Sequence, residues 1–437
     1  MNIDKLFEKA LQKGITDVQV FLADNNQLSI DVFNGEVDKY EIADTSSLVI
    51  KGIFNGKMGT YVTEVMEDDL IDTIIENIIL NAKIVDSLDD AIIYEGDSKY
   101  EALDGLFNEE LFSMDVKRKI DKVKELDQLF HNLDSKVTFV ESMYSETTRS
   151  VLLQNTKGLK LYNKVNSAYF GGQVIVKDET DQRTAFDLTV SNEFVDFDST
   201  SLAKSIVESG VKSLGAKPIP SKNYEIVFDK DAFAVLLSAF ENIFSAEAVQ
   251  KGLSLLKGKL HQQIGSKLVT IVDDPFMKKS SSSRSFDDEG VATFYKELIK
   301  EGQLDTYLHN LISAKRDNVK STGNGFGGSI SPINLKVLPG NKTQEELIAS
   351  VKDGIFITNV QGAHAGANPI SGDFSLQAMG FVIENGVLGK PVALITVAGN
   401  FIEMLLNIVE IANDLKTGYF GITCPSIKVK SMPVSGI

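Results

Sequence analysis

The segment LSIDVFNGEVDKYEIADTSSLVIKGIFNGK (28–57) carries the reading on which the fold turns. Leu28, Ile30 and Val32 alternate with polar residues, the period of a strand with one buried face. Asn34-Gly35 and Asn55-Gly56 punctuate it. An Asn-Gly pair is the strongest short hairpin signal, because the tight turn needs positive φ at both central residues. The pattern predicts an antiparallel meander from about Asp17 to Val62. Before it, Ile3, Leu6, Phe7, Ala10 and Leu11 share one helical face, and Gly14 is placed for a left-handed cap. After it, Leu70, Ile71, Ile74, Ile75, Ile78, Ile79 and Ala82 mark a second helix. Glu64, Glu67, Asp68 and Asp69 stand near the positive end of that helix.

Further out, residues 84–110 are acidic and irregular, and Phe112–Phe130 returns to helical spacing. Several strands are expected over Lys136–Ser191, with a turn at Asn155–Gly158 and a bulge or tight backbone approach at Gly171-Gly172. A helix follows near Thr200–Leu214. KPIPSKN (217–223) has the prolines and polar residues of a connector. The expectation is an α+β chain: an N-terminal domain over 1–216 with antiparallel sheet and packed helices, a linker over 217–223, and a strand-rich domain over 224–437. The second domain opens with a strand at Tyr224–Phe228 and a helix over about Lys230–Ser245. Asn400 is placed to cap another helix, with Glu403 in a box-like pair. Phe401, Met404, Leu405, Ile408 and Ile411 form its buried stripe, and Ser426–Pro433 is a final strand.

A chain of 437 residues exceeds one core and suggests two or three domains. With 43% apolar and 24% charged residues it has the balance of a soluble globular protein. No apolar run approaches the roughly 18 residues needed to cross a bilayer, and the amphipathic N-terminus has no apolar signal core. Cytoplasmic residence, with no membrane partner, is the expectation. One cysteine, Cys424, excludes an internal disulfide and a cysteine-cluster metal site, and reads as a buried thiol. The net charge of −17 repels phosphate backbones. Lys278, Lys279 and Arg284 are too small a patch to offset it, so direct nucleic-acid binding is not expected.

Chemistry concentrates between Leu268 and Ser375, in VTIVDDP (269–275), FDDEG (286–290), STGNGFGG (321–328) and SGDFS (371–375). Asp273-Asp274 and Asp287-Asp288-Glu289 have the groups for general acid–base work or a hard cation. Consecutive acids point in different directions, and turn formation and capping explain them equally well. The glycine block lacks the ending of a phosphate loop and the spacing of a dinucleotide fingerprint. Its residues, Asn324 and Gly325 among them, are spaced to expose main-chain groups of the kind that hold extended peptides by strand addition. GAHAGANPISGDFS (362–375), with Gly362 and Asp373, has the same character. Plain connection remains the alternative for both loops. The four histidines, His131, His261, His309 and His364, are scattered, with no second ligand at helical spacing. His261 and His309 read as surface or half-buried.

These blocks, with FDDEGVATFYKELIKEGQLDTYL (286–308), LPGNKTQEELIASVKDGIFI (338–357) and IENGVLGKPV (383–392), resemble the TldD/PmbA family, often labelled modulators of DNA gyrase. SVLLQNTKG (150–158) extends the resemblance into the first half. It implies a two-subunit zinc metallopeptidase whose TldD-type member carries His-Glu-x-x-x-His on a helix after the first strand of the C-terminal domain. In IVFDKDAFAVLLSAFENIF (226–244) those positions fall on Ser238, Ala239 and Ile243. A hydroxyl, a methyl and a branched alkyl group cannot hold zinc or activate water. Cys424 begins the last strand and does not match the family's ligand cysteine, which lies upstream. The resemblance therefore implies a PmbA/TldE-type subunit with no catalytic residue and no metal of its own. Zinc is expected only in a TldD-type partner. Its partners would be that subunit or a second copy, with peptides or unfolded segments held by Asp287, Asp288, Glu289, Asn324, Gly325, Gly362 and Asp373. The rival expectation is a homodimeric, non-enzymatic peptide-binding or scaffolding protein.

Overall fold

In the computed structural model, which describes residues 1–86, 89–418 and 420–437, both Asn-Gly pairs make the turns expected of them. Asn34 and Gly35 take φ of 50° and 79°, Asn55 and Gly56 49° and 75°. They join β1 (Val18–Phe33), β2 (Glu36–Phe54) and β3 (Lys57–Thr63) as an antiparallel meander. β4 (Val137–Asn155), β5 (Lys160–Lys177) and β6 (Gln182–Ser191) extend it into one sheet of order β3-β2-β1-β4-β5-β6. Two helices, α1 (Ile3–Gln12) and α2 (Ile71–Ile84), pack Leu6, Phe7, Ile74 and Ile78 against Val20 and Ile50. Three more are α3 (Glu109–Ser113), α4 (Val116–Leu133) and α5 (Ser199–Lys212). They cover the other end, where Phe130, Tyr144, Phe170 and Phe197 form the core.

The single helix expected over Phe112–Phe130 is two, because Asp115 caps a new start by accepting from the Lys117 N–H. Gly171 and Gly172 mark close approach and not a bulge: the β4–β5 and β5–β6 registers run through them unbroken. A Cβ on Gly172 would lie 2.7 Å from the Phe130 ring.

The second half starts with β7 (Lys222–Phe228), so Lys222 and Asn223 belong to a strand and not to the connector. Next come α6 (Lys230–Ser238), α7 (Ala246–Gln250), β8 (Ile271–Asp273), β9 (Lys296–Lys300) and β10 (Gln303–Leu304). α8 (Leu311–Asp317), β11 (Gly325–Phe326), β12 (Ser329–Ile330), β13 (Leu335–Val337) and α9 (Gln344–Ala349) follow. The chain continues through β14 (Asp353–Gln361), α10 (Ala363–Gly366), β15 (Asp373–Glu384), β16 (Val387–Asn400) and α11 (Phe401–Leu406). It ends with β17 (Ile408–Ile411), β18 (Lys416–Thr417), β19 (Thr423–Cys424) and β20 (Ile427–Ser435). Several short helices thus join the two expected, and the α+β class holds.

One sheet runs β10-β9-β8-β13-β19-β18, and another β16-β15-β14-β7-β20-β17. β16 also pairs with β20, so five strands of the latter close on themselves. A large core built from Phe228, Phe233, Leu237, Phe240, Ile355, Phe401 and Val429 packs these strands against α6 and α11.

Both helices expected here end early. α6 stops at Ser238 and a 3₁₀ turn over Glu241–Phe244 follows, because Ser245 caps α7 by accepting from the Ala248 N–H. α11 stops at Leu406, with Asn400 accepting from the Ile402 N–H as its cap. Ile408 and Ile411 lie instead in β17, paired with β20, where β-branched residues suit the pleat. Among the described residues no helix is long and apolar enough to cross a membrane.

Candidate functional site

The acidic and glycine-rich blocks of 273–331 converge on one buried polar node. Asp273, at the end of β8, is fully buried. Its carboxylate accepts from the Ile333 N–H (2.7 Å), the Asn334 N–H (3.0 Å) and Asn324 Nδ2 (2.8 Å). It also pairs with Lys296 Nζ at 3.2 Å, from the position directly opposite on β9. Burial pulls the Lys296 ammonium down, and Asp273 opposes that shift. Asn324 completes the link by accepting from Thr322 Oγ1 and donating to the Ser331 carbonyl. A buried polar network of this kind is stable only when its members satisfy one another.

The three consecutive acids then diverge. Asp287 is fully buried and accepts from the N–H groups of Gly325 (2.9 Å), Glu289 (3.0 Å) and Val291 (2.9 Å). Burial, and then the Glu289 charge, push its carboxyl up to about 7 against those donors. Asp288 pairs with Arg284 at 3.1 Å and accepts from the Gly327 N–H. Glu289 accepts from the Leu311 N–H, in the first turn of α8, at 2.8 Å, and burial raises its carboxyl. A Cβ on Gly325 would lie 2.7 Å from Glu289 Oε2, which accounts for glycine there.

This arrangement separates the residues expected to contact peptide into buried and open ones. Gly325 spends its N–H on Asp287 and its carbonyl on the Asp288 N–H, so it offers no edge to an added strand. Asp287 and Asn324 are fully buried and brace the loop from beneath. Asp288 and Glu289 do reach open space. They line a cleft of about 540 Å³ between this node and the first sheet, facing Gln19, Phe21, Lys51 and Met58. Leu311 and Gly327 complete the near wall. The two halves are tied beside it by Gln19 Nε2 to the Asp288 carbonyl (3.4 Å) and Tyr100 Oη to the Gly290 carbonyl (2.7 Å). The Ala292 N–H adds a bond to Asp97 (2.8 Å). Gln19, Lys51 and Tyr100 carried no local signal in the sequence, since their role comes from contacts across 190 positions or more.

Gly362 and Asp373 lie apart. Gly362 is the exposed N-cap of α10, with φ of 80°. Asp373 is exposed at the start of β15, where hydrogen bonds from Asn400 and then Ser371 hold its carboxyl below the usual range. Among the described residues neither bonds to the 286–291 or 321–328 loops. The two glycine-rich loops therefore do not share a site through hydrogen bonds.

At the positions that align with the metal motif, Ser238 Oγ donates back to the Val235 carbonyl at 2.7 Å. Ile243 is fully buried in the large core, with Ala239 packed against it. The nearby Glu241 is pushed up to about 6 by burial and then by the charge of Asp273. Among the described residues no three His, Cys, Asp or Glu side chains gather as a metal group. An alkyl group in the core and a hydroxyl bonded to its own helix do not fit zinc.

His309 is buried, not half-exposed as expected, with Nδ1 3.3 Å from Ser313 Oγ; burial lowers its affinity for a proton. The Cys424 thiol is buried and pushed upward, as suits an inert packing group. Two of the loop cations are paired, Lys279 with Glu193 and Asp196, and Arg284 with Asp288.

The model of the PmbA/TldA metallopeptidase C-terminal domain matches residues 221–436, and that of the central domain matches 109–214. A structure from Thermotoga maritima MSB8, named for modulation of a DNA gyrase, is 34% identical, with a TM-score of 0.93 and 99% of each chain covered. This chain belongs to the TldD/PmbA family.

Among family relatives, Metalloprotease MJ0996 of Methanocaldococcus jannaschii is 23% identical across 98% of this chain and 97% of its own length. Metalloprotease PmbA of Escherichia coli O157:H7 is 27% identical, over 60% of this chain and 57% of its own. TldE from Thermococcus kodakarensis, 22% identical, shares the fold with a TM-score of 0.91 over 99% of this chain and all of its own.

Proposed function

We propose that this TldD/PmbA-family chain is a PmbA/TldE-like subunit, without a metal site of its own, of a TldD/TldE-type zinc metallopeptidase complex. Its task in that reading is to hold peptides or unfolded segments while a TldD-type partner supplies zinc and the water-activating groups. One observation carries the reading: Ser238, Ala239 and Ile243 stand where two imidazoles and a carboxylate would be needed, and Ile243 is sealed in the core. The cleft beside Asp288 and Glu289 is the place proposed for the peptide, because it is walled by both halves and mixes apolar with charged groups. Cytoplasmic residence belongs to the same proposal.

The test is assembly. Mixed with a TldD-type chain from the same source, this protein should elute from size exclusion as a joint species. Elution as separate species over the concentration range of the assay would remove the subunit role. It would leave a homodimeric peptide-binding protein as the reading to pursue.

A further inference from the structure

A second, smaller cavity, of about 300 Å³, opens where β4 meets the loop carrying Arg284. Its polar lining is Arg149, Ser281, Ser282, Arg284 and Asp288, with Phe326 on one wall. The two guanidinium groups are in different situations. Arg284 is committed, paired with Asp288 at 3.1 Å and lying 4.8 Å from the centre of the Phe326 ring. Arg149 is open: its Nε is fully buried with no hydrogen-bond partner. Among the described residues no carboxylate pairs with it, and neither serine hydroxyl is engaged. The half-buried Arg149 side chain thus lines the cavity with no carboxylate partner, leaving a guanidinium uncommitted for an arriving acceptor.

We propose that this cavity binds a monoanionic carboxylate, with Arg149 as the open fork that receives it. The charge balance selects the ligand. Two guanidinium groups against one Asp288 carboxylate leave a single positive charge, which a carboxylate neutralises and a dianionic phosphate would overshoot. A planar guanidinium matches a carboxylate with two parallel N–H···O bonds, and the hydroxyls of Ser281 and Ser282 can donate to the same oxygens. Asp288 lines both this cavity and the larger cleft, so the two share a wall. The source of the carboxylate, a peptide C-terminus, rests on the peptide-holding reading above; the chemistry of the site does not.

Calorimetry with the full chain tests it, using tetra-alanine, tetra-alanine amide, sodium acetate and inorganic phosphate, with the Arg149 Nε–H resonance followed in parallel. Tetra-alanine should bind about tenfold more tightly than its amide, as loss of a charge-assisted bidentate pair implies. Arg149→Gln should erase the difference without lowering the melting midpoint, because among the described residues no carboxylate pairs with the Arg149 side chain and its Nε has no hydrogen-bond partner. Equal binding of acid and amide, or full binding by Arg149→Gln, overturns the carboxylate site while leaving peptide holding intact. Acetate moving the Arg149 resonance while neither peptide binds supports the site and removes the peptide reading. Phosphate binding more tightly than acetate, or no response to any probe, overturns the proposal.

Discussion

The two glycine-rich loops of the second half look alike as text and differ as structures. Residues 321–328 are stitched to the buried node: Asn324 to Asp273, Gly325 to Asp287, Gly327 to Asp288. Residues 362–375 connect β14 to β15, where the exposed Asp373 answers to Asn400 and Ser371 in water. What separates them is the burial of the acid each loop meets. A buried carboxylate collects N–H donors and dictates the loop's path, whereas an exposed one only decorates it.

That contrast can be broken by substitution. The largest effect should come from Asp273→Asn, which strands the Lys296 charge in the interior. About 3–5 kcal/mol of stability should be lost in urea titrations, while Asp373→Asn should leave the midpoint where it was. Comparable losses from the two would erase the distinction. Asn324→Ala, which leaves the Asp273 oxygen and the Ser331 carbonyl short of a donor, should cost roughly 1–3 kcal/mol. A similar loss, about 1–3 kcal/mol, is expected for Gly325→Ala, since the new methyl must displace Glu289; an unchanged protein would show that the Glu289 contact is slack.

The finest distinction is one of slope. Asp287 keeps its proton to about pH 7 in the fold, whereas an unfolded Asp loses it near 3.9. The native state therefore binds more protons in that window, and stability falls as pH rises from about 4 to 7. The slope from this group is at most about 1.4 kcal/mol per pH unit. Asp287→Asn should flatten it. A stability that rises through the same window in the unsubstituted chain, with no change in Asp287→Asn, would remove this group from the balance.

Much of the architecture was legible where local chemistry is decisive. The Asn-Gly turns set the meander, and the apolar spacing of Leu70–Ala82 and Thr200–Leu214 located two helices to within a few residues. Reading failed where a side chain's duty is set by its neighbour. Ile408 and Ile411 continue a helical stripe in sequence, yet β20 claims them for a strand. The run Leu236–Phe244 looks like one helical face, yet Ser245 caps a new helix and the chain turns. The site divided the same way. Asp288 and Glu289 were marked by their density, but the cleft they face is completed by Gln19 and Lys51. Arg149 carried no signal at all, because an unpaired guanidinium is a fact about its surroundings.

The central claim is that this chain has no chemistry of its own at the 238–243 positions and depends on a partner for it. Metal content and peptide cleavage, measured on the pure chain after equilibration with zinc and again after adding a TldD-type subunit, test it most directly. The account predicts no bound zinc and no cleavage alone, with chelator-sensitive cleavage appearing only in the mixture. Stoichiometric zinc beside Ser238 in a pure preparation that cuts peptides unaided would contradict it.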